Sequence, residues 1–244
     1  MIRIAATADL HFGPDLAGTI RPHLGGLTER ADVLLIAGDV TRVGDPEEAV
    51  GLAKELAGLD VPIIAVLGNH DYHSDRQAEI AEVLEESGIR VLERETTTLE
   101  VDGSTLGVAG AKGFGGGFIG ASGSDFGEPE MKAFIHHTRA IAEGLRRALS
   151  ELDTEHRVAL LHYAPVETTL RGERLEIYPF LGSYLLGEAI DGAGADLILH
   201  GHAHRGMERG VTLGGIPVRN VARPVIQRAY NVYCLSSDGS RLTD

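Results

Sequence analysis

The sequence predicts a layered α/β fold, and three observations lead to that prediction. Short apolar runs rich in β-branched residues recur along the chain and are bounded by glycine or polar residues, as is typical of buried strands. Segments with a helical pattern lie between them, and alternating strands and helices build layered α/β folds. The length of 244 residues suits one domain, which we predict to span residues 1–244.

The elements are predicted in chain order from these patterns. Five apolar runs that end in polar clusters are expected to be strands, at 2–6, 33–37, 62–67, 158–161 and 197–199. Helices are expected at 15–27, 46–59, 75–87 and 130–152. Pro46 supports the start of the second helix, because proline is tolerated in a first helical turn. After Gly206, short strands at 211–213, 217–221 and 231–235 predict a β-meander that ends the domain.

Composition and charge exclude several classes of protein. The mean hydropathy of −0.01 and the 43% of hydrophobic residues exclude a disordered chain. A net charge of −14 argues against bulk nucleic-acid binding and against an anionic membrane as partner. Residues 1–13 carry no secretory signal pattern and no apolar run reaches membrane-spanning length, so we expect a cytoplasmic protein. The single cysteine, Cys234, excludes an internal disulfide and a cysteine-based zinc site.

Residues with carboxylate, amide or imidazole side chains follow five of the predicted strands. They are Asp9, His11, Asp39, Asn69, His162, His202 and His204. One such residue is usually a turn former, a helix cap or a core residue, but the repetition at five strand ends weakens that explanation. Ligand sites of open α/β sheets lie at the carboxyl ends of strands. Imidazole and carboxylate groups without thiolate suit zinc, iron or manganese, so the sequence predicts a metal site.

The same residues stand in five short blocks. These are Asp9-Leu10-His11, Gly38-Asp39, Gly68-Asn69-His70-Asp71, His162 and Gly201-His202-Ala203-His204. In this order they resemble the signature of the calcineurin-like metallophosphoesterase superfamily, over residues 9–204. The resemblance implies a four-layer metallophosphoesterase fold, in which a central β-sandwich is flanked by helices, with a two-metal site at the strand ends.

The resemblance also implies a set of metal ligands and a reaction. One ion would be held by Asp9, His11, Asp39 and His204, and the other by Asp39, Asn69, His162 and His202. The implied cofactors are two divalent or trivalent transition-metal ions, manganese, iron or zinc. A hydroxide that bridges them would attack a small phosphorylated substrate, a phosphate monoester or diester, which we expect to carry a sizeable, nucleotide-like group. His70 would be the catalytic residue, stabilising the phosphoryl group or protonating the leaving oxygen.

One position departs from the family pattern. Arg42 stands where phosphatase-like members carry an aspartate that orients the catalytic histidine. The sequence leaves two roles open for Arg42, contact with a substrate phosphate or a solvated loop position, and Asp71 is a candidate to brace a loop. The alternative function is a non-catalytic scaffold or binding protein on the same fold, which is disfavoured because every ligand position is filled.

Two segments outside the blocks are candidates for substrate recognition. The glycine-rich segment 110–127 contains Phe114 and Phe118, and we predict a loop over the site, with a mobile surface loop as the alternative. The segment 163–186, which follows the fourth block, contains Arg171 and Arg174 and is predicted to be a recognition loop, with packing and surface charge as the alternative role. The sequence leaves open the substrate, the choice between monoester and diester, the native metals and the oligomeric state.

Overall fold

The computed structural model describes residues 1–236, so the last eight positions of the predicted domain, 237–244, lie outside the described residues. The strands are β1 (Ile2–Thr7), β2 (Val33–Ala37), β3 (Ile63–Val66), β4 (Ile89–Val91), β5 (Glu95–Val101), β6 (Ser104–Ala111), β7 (Gly117–Phe118), β8 (Ala121–Ser122), β9 (His156–Leu161), β10 (Leu197–His200), β11 (Arg209–Val211), β12 (Pro217–Asn220) and β13 (Asn231–Leu235). The α-helices are α1 (Leu27–Arg30), α2 (Pro46–Leu56), α3 (Gln77–Glu86), α4 (Pro129–Glu151), α5 (Tyr178–Leu181), α6 (Tyr184–Ala193) and α7 (Arg223–Ile226).

The strands form two large, mainly parallel sheets. One has the order β13-β1-β2-β3-β4, in which β13 is antiparallel at the edge and the other neighbours are parallel. The other has the order β11-β12-β10-β9-β6-β5, with antiparallel strands at both edges. Strands of this kind are buried on both faces, which explains why the predicted runs are continuously apolar.

The alternation of side chains along the strands separates three layers of core. Ile4 and Leu35 face the space between the two sheets, where they meet Val158 and Leu199 of the opposite sheet. Ala5 points the other way, toward the helices that cover the first sheet. A third cluster lies between the second sheet and helices α4 and α6. The predicted four-layer arrangement, a β-sandwich flanked by helices, is confirmed.

The predicted helix at 15–27 is wrong. The segment contains two short 3-10 turns instead, Pro14–Leu16 and Arg21–Leu24, followed by the single turn of α1. The carboxylate of Glu55 on α2 accepts hydrogen bonds from the N–H groups of Gly18, Ile20 and Arg21. These N–H groups are therefore not available for the hydrogen bonds of a continuous α-helix. Tertiary hydrogen bonds have overridden an apolar pattern that favoured a helix.

The predicted β-meander after Gly206 is also wrong, because its strands belong to different sheets. β11 and β12 extend the second sheet, where β12 pairs parallel to β10, whereas β13 pairs antiparallel to β1 in the first sheet. Helix α7 and Gln227, with a φ of 52°, carry the chain from one sheet to the other. Because β13 joins the first sheet, Tyr233 and Leu235 are buried between the two sheets.

The other three predicted helices are confirmed as α2, α3 and α4, each with an end shifted by a few residues. Asp45 accepts a hydrogen bond from the N–H of Glu47 and so begins α2 as an N-cap. Helix α4 is amphipathic, and Ile141, Leu145 and Leu149 form the face that packs on the second sheet. Among the helices of residues 1–236, none combines the length and apolar character needed to cross a bilayer.

Candidate metal centre

The loops after β1, β2, β3, β9 and β10 meet at one edge of the β-sandwich. The N–H of Asp9 donates to the carbonyl of Gly38 across 3.0 Å, and the N–H of Gly201 donates to the carbonyl of His162 across 3.1 Å. The first bond joins two loops of the first sheet, and the second joins two loops of the other sheet. The sequence blocks are therefore brought together by backbone pairing between neighbouring parallel strands.

The predicted ligand residues fall into two groups. Donor atoms of Asp9, His11 and His204 lie within 4.8 Å of one another, and so do those of Asp39, His162 and His202. Asp39 lies between the groups, since its Oδ2 is 3.7 Å from His11 Nε2 and its Oδ1 is 3.4 Å from His162 Nε2. Asn69 completes the second group, with its Oδ1 2.9 Å from His162 Nε2. All seven residues are thus in one cluster.

Several lone pairs in this cluster face one another. The Nδ1 of His162 lies 2.9 Å from the carbonyl oxygen of Ala37, which only accepts, so Nδ1 carries the proton and Nε2 of the neutral ring is an acceptor. That acceptor faces the oxygens of Asn69 and Asp39. The Nε2 of His202 similarly donates to the carbonyl of Phe180 across 3.2 Å. Histidines that bind metals commonly donate their other ring nitrogen in this way.

Strained backbone marks the same residues. Asp9, His11, Asp39 and His202 have φ angles of 58°, 43°, 50° and 70°, in the left-handed region that side-chain-bearing residues rarely adopt. Such strain persists only where the surroundings fix it, and it concentrates at functional sites.

Two glycines of the blocks are required by close packing against carboxylates. A Cβ atom at Gly68 would overlap the side chain of Asp39, and one at Gly201 would overlap Oδ2 of Asp9. The backbone of each glycine block therefore lies directly against an acid of another block. This contact explains why glycine precedes Asn69 and His202 in the sequence.

Asp71 joins the second and third blocks. It is fully buried, and its carboxylate accepts hydrogen bonds from the N–H groups of Val40, Thr41 and Gly68 and from the Thr41 hydroxyl, at 2.6–3.2 Å. Burial, with the nearby charge of Asp39, raises the pKa of Asp71 to about 6. The structure thus bears out the role of Asp71 as a brace, here between the loops that carry Asp39 and Asn69.

Arg42 contributes a backbone oxygen to the site. The Nδ1 of His70 donates to the carbonyl of Arg42 across 2.7 Å, so a backbone oxygen orients the imidazole in place of the aspartate expected at this position. The ring of His70 packs edge-on against that of His11, with centroids 4.4 Å apart. The guanidinium of Arg42 is exposed and forms an ion pair with Asp15 at 2.6 Å. The structure supports the solvated position for this side chain.

Comparison with known proteins decides the family. The sequence profile of the calcineurin-like phosphoesterase family matches residues 2–206. The chain belongs to this family. Members use divalent metals, and the two donor groups described above are potential metal-binding clusters of that kind.

Two curated relatives of the family share parts of the sequence. The metallophosphoesterase F40B5.2 of Caenorhabditis elegans is 32% identical over 114 residues, which are 45% of this chain and 23% of that protein. The glycerophosphodiester phosphodiesterase GpdQ of Enterobacter lignolyticus is 40% identical over 48 residues, 20% of this chain and 17% of that protein. The matched segments therefore span less than a quarter of either relative's length.

Solved structures share the fold. The phosphopantetheinyl hydrolase PptH of Mycobacterium tuberculosis superposes with a TM-score of 0.64 at 17% identity, covering 90% of this chain and 88% of that one. The protein TT1561 of Thermus thermophilus superposes with a TM-score of 0.60 at 17% identity, covering 99% of this chain and 97% of that one. At these identities the similarity shows the fold of the family alone.

The two candidate recognition segments contact the cluster through a few of their residues. From 163–186, the Phe180 carbonyl meets His202 and the Tyr163 ring lies 4.5 Å from the His202 ring, whereas Arg171 and Arg174 are exposed. From 110–127, Phe114 packs against Tyr163 with centroids 5.9 Å apart. Phe118 is buried instead with Tyr178 in a separate apolar cluster.

A cavity of about 390 Å³ beside Asn69 contains a residue that the motifs did not identify. Its lining residues are Asn69, Tyr72, Glu93, Arg94, Lys112, Phe114, His137, Ile141 and Tyr163. Lys112 is one of only three lysines in the chain and directly follows β6, and its carbonyl accepts a hydrogen bond from the N–H of His162. The rarity of lysine in this chain and the position of Lys112 after a strand could have identified it from the sequence.

Proposed function

We propose that this protein is a two-metal phosphoesterase that hydrolyses phosphate monoesters or diesters. The observation that carries the proposal is the convergence of nitrogen and oxygen donors from five strand ends, with Asp39 between the two groups. Family membership supports phosphoric ester hydrolysis. The proposed ligands are Asp9, His11, Asp39 and His204 for one ion and Asp39, Asn69, His162 and His202 for the other.

The residues fit such ions by their chemistry. Nε2 of His162 faces the oxygens of Asn69 and Asp39, and three acceptor atoms repel one another unless a cation lies among them. Imidazole and carboxylate donors without thiolate favour manganese, iron or zinc. When bound, two such ions would polarise the phosphoryl oxygens and make water nucleophilic at neutral pH.

His70 is proposed as the catalytic residue of the chain itself. With Nδ1 fixed on the Arg42 carbonyl, the imidazole presents Nε2 as its second site, beside His11 and Asp39. When His70 is doubly protonated, Nε2 donates a hydrogen bond to a phosphoryl oxygen or transfers its proton to the leaving oxygen. A fixed orientation makes this donation efficient, because the ring need not reorganise during the reaction.

The substrate is proposed to carry a sizeable group beyond the phosphate. The cavity beside Asn69 provides space next to the centre, lined by the aromatic rings of Tyr72, Phe114 and Tyr163. The name of GpdQ denotes hydrolysis of a glycerophosphodiester, which fits a substrate that carries a group beyond the phosphate.

A panel assay tests the proposed function. The protein is purified without chelator, its metals are measured by elemental analysis, and p-nitrophenyl phosphate, its bis ester and a cyclic nucleotide are assayed with added Mn²⁺. We expect turnover of at least one ester, loss of turnover on chelation and recovery when Mn²⁺ is restored. No turnover of any ester by protein with two bound metal equivalents would favour the non-catalytic scaffold.

A further inference from the structure

The cavity beside Asn69 encloses a buried ammonium group. Lys112 is only 7% exposed, and its Nζ lies 4.8, 5.0 and 5.2 Å from the ring centroids of Tyr72, Phe114 and Tyr163. Asn69 belongs both to the lining of this cavity and to the candidate metal centre, so the two spaces are contiguous. The ammonium is therefore placed beside the site, within reach of a substrate that extends out of it.

The ammonium has fewer partners than it has N–H groups. It carries three donors, and within residues 1–236 its one hydrogen-bond acceptor is the carbonyl of Gly113 at 3.3 Å, with no ion pair. The aromatic faces attract the cation but do not replace hydrogen bonds. A cation removed from water is costly unless it is paired and hydrogen-bonded, and burial accordingly lowers the pKa of Lys112. The remaining donors are available to a ligand in the cavity.

The charge around the cavity favours an anion. Lys112 and Arg94 are its cations, and Glu93 is its acid. Both oxygens of Glu93 are engaged, one by the N–H of Lys112 at 2.9 Å and the other by Nε of Arg94 at 3.4 Å. Burial lowers the pKa of His137, which keeps that ring neutral at pH 7. Asp39 attracts the ammonium from the metal side, where bound cations would offset its charge.

We propose that this cavity is a second anion subsite, in which the Lys112 ammonium donates hydrogen bonds to a phosphate or carboxylate beyond the scissile phosphate. The inference rests on the proposed function, and it names the substrate class as a phosphate ester of an alcohol that itself bears an anionic group. The aromatic walls exclude water, which strengthens a charge-assisted hydrogen bond inside them. An ammonium acts as a point charge, so either type of anion suits it.

Two matched substrate pairs test the subsite and distinguish the two anions. Glycerol 3-phosphate and 3-phosphoglycerate differ by a carboxylate, and AMP and adenosine 3′,5′-bisphosphate differ by a phosphate. The value of kcat/KM is measured for each in the wild type, in Lys112→Met and in Lys132→Met, whose parent lysine is exposed on α4. Methionine is unbranched like lysine, only one atom shorter and apolar, so it suits the aromatic surroundings, and thermal unfolding checks the fold.

In the wild type we expect preference for the doubly anionic member of at least one pair. Lys112→Met should reduce that preference roughly 10- to 100-fold, the effect of losing a hydrogen bond between charged groups. Lys132→Met should retain the preference. The pair that responds identifies the anion as carboxylate or phosphate.

Three results would overturn the subsite. They are no wild-type preference in either pair, an equal loss for both members of each pair in Lys112→Met, or the same loss of preference in Lys132→Met. If no ester is hydrolysed, p-nitrophenyl phosphate included, the proposed function has failed. The subsite is then judged by calorimetric binding of 3-phosphoglycerate and adenosine 3′,5′-bisphosphate, and unchanged affinity for both in Lys112→Met overturns it.

Discussion

The two sides of the candidate metal centre differ in how firmly their histidines are held. On the Asn69 side, His162 is completely buried, with Nδ1 on the carbonyl of Ala37 and Nε2 toward Asn69. On the Asp9 side, the side chains of His11 and His204 are 22% and 41% exposed, and they contact each other at 3.5 Å. His162 is thus enclosed by protein, whereas the two histidines of the Asp9 side are partly exposed to water.

The electrostatics follow the same division. A hydrogen bond to Asp9, 2.9 Å long, raises the pKa of His204 and so favours a protonated ring when no cation is bound. On the Asn69 side, burial lowers the pKa of His202 to about 3, so that ring is already in the neutral form that binds metal. We therefore expect the ion of the Asp9 side to exchange faster than its neighbour.

The largest expected effect comes from the residue shared by both sides. Asp39→Ala should remove most of the metal and reduce turnover of p-nitrophenyl esters to background, because its carboxylate faces both donor groups. Elemental analysis and the ester assay measure the two losses. Asp45→Asn is the control, since asparagine also caps a helix. Equal metal content in wild type and Asp39→Ala would refute the shared role.

The Asp9 side and the Asn69 side of the centre were not equally predictable from the sequence. The donors of both sides could be predicted, because parallel strands place their carboxyl ends together. The residues that follow those strands have carboxylate, amide or imidazole side chains, which are typical metal ligands. The histidines of the Asn69 side are held by the carbonyl oxygens of Ala37 and Phe180. Every residue has a carbonyl, so no side-chain pattern could indicate these contacts.

Tertiary packing explains the other differences. Lys112 is buried because rings from three separate segments, those of Tyr72, Phe114 and Tyr163, surround it. The segment 15–27 has apolar residues at helical spacing, but Glu55 of a different helix binds its backbone. In both cases the decisive partner is distant in the sequence, so local patterns gave no information about it.

The second prediction concerns His70, which lies near the boundary between the two sides. His70→Ala should lower kcat by ~10²–10⁴, the range for removal of a general acid, while metal content stays constant. The loss should be smaller for p-nitrophenyl esters than for alkyl esters, because p-nitrophenolate leaves without protonation. A loss of equal size for both leaving groups would show that His70 stabilises the phosphoryl group and is not the acid.

The third prediction tests the difference between the sides directly. Release of metal into a chelator should occur in two phases whose rates differ on the order of 100-fold, the upper range for changes in the shell around a metal. His204→Ala should remove the fast phase and His162→Ala the slow one, as followed by a chromogenic chelator. Release of both ions in one phase would contradict the inferred asymmetry.

The smallest expected effect concerns Asp71, which braces the loop of Asn69 against the loop of the shared Asp39. Its carboxylate ties the loops of Asp39 and Asn69 together and makes no hydrogen bond to the loops of His11 or His204 within residues 1–236. Asp71→Asn replaces one acceptor oxygen with an NH₂ group, so buried N–H donors lose their partner, at a cost of about 1–3 kcal/mol each in the free energy of unfolding. The slow phase of metal release should become about tenfold faster, while the fast phase changes less, because only Asp39 of the Asp9-side donors lies on a loosened loop. Denaturant unfolding and the chelator assay measure the two effects, with Asp45→Asn as the matched control.

If both phases accelerate by the same factor, Asp71 stabilises the fold as a whole. The slow release of the ion on the Asn69 side must then come from the carbonyl contacts of its histidines.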